Sequence, residues 1–150
     1  MTLIVFNNLT DYRSNFDFVQ HVMTMDTTFP DNKGLWRAVF ASFLHHIFYV
    51  IIIAWESACA VLCWTGAIKC LRARTSSGVI FNRAKKTAIA GLTLVLLLFI
   101  VGFLGVGGEW FLMWQSQTWN SQPAAFQMIG TAGIVLLFLG LPDGDSEIGS

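Results

Sequence analysis

Charged residues are scarce in this sequence. Only 12% of its 150 residues are Asp, Glu, Lys or Arg, whereas 55% are hydrophobic. Ordinary soluble domains carry about 25% charged residues, so this composition excludes a typical soluble domain and indicates a membrane protein. The formal net charge is zero, so no basic field favours a nucleic-acid partner.

Paired cysteines and catalytic motifs are also missing. Cys59, Cys63 and Cys70 form no CxxC motif, and we expect them to be small packing residues and not metal or redox ligands. The chain has no HExxH motif, no Walker motif and no serine-nucleophile setting. We therefore expect a protein that is not an enzyme and has no resident metal or cofactor.

What the sequence does have is one dominant hydrophobic stretch. Residues 40–68 read FASFLHHIFYVIIIAWESACAVLCWTGAI and contain one formal charge, Glu56. A helix of this length spans roughly 40 Å, more than the ~30 Å hydrocarbon core of a bilayer. Residues 87–113 and 124–141 are also apolar enough to cross. The sequence thus predicts an all-α integral membrane protein, with three transmembrane helices in a single membrane domain over residues 1–150.

The polar segments predict how these helices are oriented. Residues 69–86 are basic and contain no acid, which places them in the cytoplasm under the positive-inside rule. Residues 7–37 are then external, and a capping box at Ser14 predicts a short amphipathic helix there. The acidic tail, residues 142–150, is predicted to be cytoplasmic. The basic residues that set this topology, and that could contact anionic lipid, are Lys69, Arg72, Arg74, Arg83, Lys85 and Lys86.

Glu56 is the residue best placed to carry chemistry. An ionisable group within hydrocarbon is costly, so we expect it to face protein or water, in the cytoplasmic half of the bilayer. Three roles are open: a neutral carboxyl that hydrogen-bonds a neighbouring helix, a proton- or cation-handling group, or a contact for a quinone. Glu109 is predicted at the opposite membrane face, where we expect an ion pair with one of three residues, Arg37, His45 or His46.

Adjacent histidines form a second candidate site. His45 and His46 point about 100° apart on a helix, so at most one of them can face a given haem or metal. With Glu56 they are weak candidates for binding a cofactor. His21 lies in the predicted external segment and is the third histidine of the chain.

Glycines gather on the second and third predicted transmembrane helices. Small residues let helix backbones approach closely in lipid, so we expect these glycines to pack against a neighbour. They also predict a kink near residues 105–108. The expected packing residues are Gly102, Gly105, Gly108, Gly130 and Gly133.

Three blocks of the chain are distinctive: FNNLTDYRSNFDFVQHVMTMDTTFPDN at residues 6–32, LWRAVF at 35–40 and HHIFYVIIIAWE at 45–56. In these blocks the chain resembles a bacterial family of predicted small integral membrane proteins, known as domain of unknown function 2165. The resemblance implies a bacterial inner membrane and four transmembrane helices, the first preceding FNNLTDY, and it implies no activity. Here that helix is reduced to MTLIVF, so either the start site is assigned too late or this member has three helices.

The favoured hypothesis is a non-catalytic accessory subunit or interaction module of a larger inner-membrane complex, such as a respiratory or photosynthetic one. Its expected partners are the lipid bilayer and other membrane-protein subunits, in a hetero-complex more than a homo-oligomer. Three helices with one buried acid are better suited to packing on partners than to enclosing a substrate path. The alternatives are a small oligomeric proton or ion transporter that uses Glu56, and a haem- or quinone-binding membrane anchor.

Overall fold

Three of the protein's helices are long and apolar enough to cross a membrane. The computed structural model describes residues 1–144, which contain no β-strand, and the all-α prediction is confirmed. The predicted number of transmembrane helices is also confirmed, since the candidate spans are Ser42–Ala73, Gly78–Trp110 and Gln122–Gly140. In chain order the helices are α1 (Thr2–Thr10), α2 (Tyr12–Thr24), α3 (Ser42–Ala73), α4 (Gly78–Leu97), its π-helical continuation (Leu98–Trp110, the π segment) and α5 (Gln122–Gly140).

The basic loop predicted at residues 69–86 is mostly helical. Only residues 74–77 form a turn, because α3 continues to Ala73 and α4 begins at Gly78. The prediction ended each helix where the apolar residues end, but lysine and arginine are good helix formers and extend both helices beyond the apolar stretch. The Lys69 ammonium donates to the Thr87 hydroxyl at 2.9 Å and so links the two extensions. We call the end of the bundle that contains this turn the basic end, and the opposite end the far end.

Helices α3 and α4 approach each other closely at two glycines. A Cβ at Gly66 would collide with the backbone of Ala88, and a Cβ at Gly91 would lie 2.9 Å from the backbone nitrogen of Cys63. Neither glycine is among the five predicted packing residues. In lipid, such close contact gains van der Waals energy that bulkier residues would prevent.

The predicted packing glycines are mostly open within this chain. Of the five, Gly108 alone approaches another element, since the Gln122 amide nitrogen is 2.5 Å from where its Cβ would be. Around Gly102 and Gly105 the nearest atoms belong to their own helix, and a Cβ added at Gly130 or Gly133 would meet no side chain or other element within 4 Å. Packing of these four residues against another chain stays a prediction.

The second transmembrane helix changes its hydrogen-bonding pattern near its end. From Leu98 to Trp110 it is π-helical, and the amide of Phe111 closes the segment by donating to the Val106 carbonyl at 3.0 Å. Bonds between residues five apart produce a wider turn than the α-helix has. The residues 105–108, where a kink is predicted, lie within this π-helical segment.

The amphipathic helix α2 covers the far end of the bundle. It begins at Tyr12, two residues before the predicted cap at Ser14, and it buries an apolar face. That face packs against α3 and against Phe111 and Met113, which follow the π segment. The buried residues of α2 are Phe16, Val19, Val22 and Met23.

The residues that follow α5 return to the start of α4. The Lys85 ammonium is buried, donates to the Leu141 carbonyl at 2.7 Å and forms an ion pair with Asp143. Asn82 adds hydrogen bonds to the backbone of Asp143 at 2.9 and 3.1 Å. Lys85 is thus held inside the chain, and residue 143 lies at the basic end. Residues 145–150 of the predicted acidic tail lie outside the described residues.

Candidate functional site

Glu56 belongs to a buried polar cluster with Asn8 and Tyr49, which we call the Glu56 cluster. Its Oε2 atom accepts a hydrogen bond from the Asn8 amide at 2.6 Å. The Tyr49 hydroxyl donates to the backbone carbonyl of Asn8 at 3.1 Å and lies 3.3 Å from its side-chain oxygen. All three residues are buried. The cluster therefore satisfies most of its polar atoms internally, as polar groups in an apolar interior must.

Helix α1 brings Asn8 to Glu56. It lies against α3, with the Thr2 hydroxyl accepting a hydrogen bond from the Trp64 indole at 2.9 Å. Asn8 is more than one turn farther along and reaches the middle of α3. Nothing in the sequence indicates Asn8 or Tyr49 as site residues, because residues 1–6 are too short to span a bilayer and give no reason to place α1 inside the bundle.

Glu56 lies near the middle of α3, about 20 Å along the helix from Lys69. Trp36 is not part of α3 and belongs to a separate 3-10 turn, Leu35–Arg37, that precedes it. The placement of Glu56 in the cytoplasmic half of the bilayer stays a prediction. A carboxyl group in the middle of an apolar helix requires partners within the protein.

A pocket of about 380 Å³ opens beside the Glu56 cluster. We call it the Glu56 pocket. Its polar walls include Asn15, Ser121 and Gln127, from α2 and from the start of α5 at the far end. Its apolar walls come from α1, α2, α3, the π segment and α5, and include the rings of Phe18, Phe99 and Phe103. The volume lies within the range of small-molecule sites, about 300–1,000 Å³.

One carboxyl oxygen of Glu56 is left for this pocket. Oε2 accepts the Asn8 hydrogen bond, whereas Oε1 has no hydrogen-bond partner among residues 1–144. The ion pairs formed within this part of the chain are His21–Asp26 and Lys85–Asp143, so no basic side chain lies within 4.0 Å of the Glu56 carboxyl. The pocket thus combines an apolar enclosure with one uncompensated acidic group.

The structure does not bring the histidines together with Glu56. The buried His45 ring bonds the Val39 carbonyl through Nε2 at 2.8 Å, and its Nδ1 atom has no partner among the described residues. His46 stacks on Phe16 with ring centroids 4.1 Å apart, and its Nδ1 lies 3.0 Å from the Tyr12 hydroxyl. Both lie about 15 Å or more along α3 from Glu56. A cofactor held jointly by these three residues does not fit this arrangement.

His21 also has its own local environment. Its ring stacks on Trp119 with centroids 4.6 Å apart and pairs with Asp26 at 2.7 Å. Within residues 1–144, no group of three or more His, Cys, Asp or Glu side chains could hold a metal ion.

The predicted ion pair of Glu109 is wrong. Arg37 donates to the backbone carbonyl of Glu109 at 3.2 Å and not to its carboxylate. The guanidinium lies 5.8 and 5.7 Å from the ring centroids of Trp36 and Trp110, where it makes cation–π contacts. Neither His45 nor His46 pairs with Glu109 within the described residues.

The cysteines are free thiols in the bundle. Cys59 is fully buried beside Val95 and Leu98, and Cys63 is at the close approach of α3 to Gly91. Cys70 is half-buried near the basic end.

Comparison with known proteins identifies a family but no characterised relative. A family model described as "Predicted small integral membrane protein (DUF2165)" matches residues 1–142. No curated protein and no solved structure matches the chain at a significant level.

Proposed function

The chain belongs to the DUF2165 family of predicted small integral membrane proteins. We propose that it is a non-catalytic accessory subunit or interaction module of a larger membrane complex. The partners in this proposal are other membrane-protein subunits in a hetero-complex, of the respiratory or photosynthetic kind. The observation that carries the proposal is an unpartnered face of α5.

Helix α5 is attached to the bundle along one side only. Ala125 and Ala132 are buried against α4 and the π segment, and only 11% of the α5 span is buried, against 17% and 22% for the other two spans. Residues spaced by three, four and seven share a helix face. The opposite face, which we call the open face, consists of Phe126, Gly130, Gly133, Ile134 and Leu137.

Two glycines form a notch in the open face. No atom lies within 4 Å of a Cβ at Gly130 or Gly133, whereas Phe126 and Leu137 project beside them and are exposed. Small residues flanked by large ones let a second helix approach closely, and helix association in lipid depends on such packing. This supports a transmembrane helix of another subunit as the occupant of the notch.

Gly130→Leu tests this proposal. The protein would be extracted from its own membrane in a mild detergent, and co-purifying membrane proteins would be quantified by mass spectrometry. We expect the parent to retain specific subunits and Gly130→Leu to lose them about tenfold, while thermal stability stays unchanged because the site is open within the chain. The matched control is Val61→Phe, which adds bulk to an exposed site on α3. Equal recovery from parent and Gly130→Leu would contradict the proposal.

The orientation is also a proposal. In a bacterial inner membrane the basic end would be cytoplasmic, because lysine and arginine are retained on that side. Supporting a cytoplasmic C-terminus, Asp143 pairs with Lys85 at the basic end. Residues 7–37 would then be external.

The transporter alternative needs Glu56 to face a path formed by several copies of the chain. Here Glu56 is 2% exposed and is hydrogen-bonded to Asn8 of the same chain. That arrangement favours a role within the protomer over a role between protomers.

A further inference from the structure

The Glu56 pocket contains a carboxyl oxygen that plays no part in the proposed accessory role. Glu56 lines this pocket, and its Oε1 atom has no partner among residues 1–144, although the residue is only 2% exposed. An ionised carboxylate that is buried without a positive partner is costly, so such a group is either protonated or paired with a positive charge. A ligand that brings a positive charge to Oε1 would remove this cost.

An inorganic cation is poorly matched to the pocket. Hard cations take about six oxygen ligands, whereas the pocket offers one free carboxyl oxygen and the neutral side chains of Asn15, Ser121 and Gln127. Oε2 of Glu56 already accepts the Asn8 amide, and the side-chain oxygen of Asn8 lies 3.3 Å from the donating Tyr49 hydroxyl. One carboxyl oxygen suits a ligand that needs a single charged contact.

The other walls favour an organic cation. Phe18, Phe99 and Phe103 form a continuous aromatic surface, with ring centroids 6.4 Å apart for Phe18 and Phe103, and 5.0 Å apart for Phe99 and Phe103. Aromatic faces attract organic cations, more strongly where water is excluded. We propose that the Glu56 pocket binds a small organic ammonium compound, with Glu56 as its counter-ion and the three phenylalanine rings enclosing its apolar part.

The experiment compares a charged probe with a neutral molecule of the same shape. Binding of phenyltrimethylammonium and of tert-butylbenzene to the full chain would be measured by isothermal titration calorimetry in one detergent. We expect saturable binding of phenyltrimethylammonium, at least about tenfold tighter than binding of the neutral isostere. Equal affinities, or no saturable binding of the ammonium compound, would overturn the proposal without any variant.

Two variants then locate the site. Glu56→Gln should weaken ammonium binding about tenfold, because it keeps the shape of the side chain and removes its charge. Glu109→Gln is the matched control, since it makes the same change outside the pocket, and it should bind as the parent does. A monodisperse Glu56→Gln protein that binds as tightly as the parent would refute the assignment of Glu56. The binding measurement needs no partner subunit. A failure of the ammonium proposal would therefore leave the accessory-subunit proposal untouched, and a failure of the accessory-subunit proposal would leave the ammonium proposal untouched.

Discussion

Replacing Asn8 tests whether α1 is held in the bundle through the Glu56 cluster. Asn8→Leu removes the amide that donates to Glu56 at 2.6 Å and the side-chain oxygen that lies 3.3 Å from the Tyr49 hydroxyl. Hydrogen bonds inside membrane proteins contribute about 0.6 kcal/mol each on average. A buried polar group that loses its partner costs about 1–3 kcal/mol. Together these effects predict a loss of about 2 kcal/mol in the free energy of unfolding.

Thermal unfolding of the purified protein in detergent measures this loss. For a chain of this size, about 2 kcal/mol corresponds to a fall in Tm of roughly 4–8 °C. Asn7→Leu is the matched control, because Asn7 is the exposed neighbour of Asn8 in α1 and should change Tm little. A double-mutant cycle with Glu56→Leu should show coupling, since Asn8→Leu has less to remove once the carboxyl is gone. Equal shifts for Asn7→Leu and Asn8→Leu, or no coupling, would refute the reasoning.

Three further predictions concern the helix crossing, the topology and the carboxyl group. Gly91→Leu should lower the free energy of unfolding by about 1–3 kcal/mol in thermal unfolding, because the added side chain meets the Cys63 backbone. Gly130→Leu should not lower it, and equal stabilities of the two variants would contradict the α3–α4 crossing. A cysteine placed at Ser76, with the native cysteines replaced, should resist labelling from outside intact cells, and ready labelling would reverse the orientation. Glu56→Gln should leave assembly unchanged. The transporter alternative would be favoured if the parent carried a proton or cation flux in proteoliposomes and this variant did not.

The sequence was sufficient to predict the three membrane spans. Each is a long apolar run, and hydropathy and length alone distinguish such runs from the rest of the chain. Their ends were less predictable, as at residues 69–86, because the helical hydrogen-bond ladder continues where hydropathy falls. Polar helix formers such as Lys69 and Arg72 carry α3 past the apolar stretch.

The candidate site was only half predictable from the sequence. Glu56 is conspicuous as a lone acid in an apolar stretch, but its partner Asn8 is 48 residues away and belongs to a nine-residue helix. No periodic pattern links such residues, because their contact depends on how α1 lies on α3. For the same reason the packing prediction named glycines that are grouped on the π segment and on α5. The close approach of α3 to α4 is made instead by the single glycines Gly66 and Gly91.

Aromatic stacking explains the wrong prediction for Arg37. Opposite charges at the same membrane face suggested an ion pair with Glu109. The structure instead places the guanidinium near Trp36 and Trp110, where it also reaches the Glu109 carbonyl. Charge alone could not predict this choice, because it depends on two indole rings from different parts of the chain.

Native mass spectrometry tests the accessory-subunit proposal most directly. The protein would be released gently from its own membrane and its intact assemblies weighed before and after mild activation. The proposal predicts an assembly whose mass is the chain plus one or more different subunits, and which Gly130→Leu fails to form. A chain released only as a monomer, or only as multiples of its own mass, would contradict the proposal.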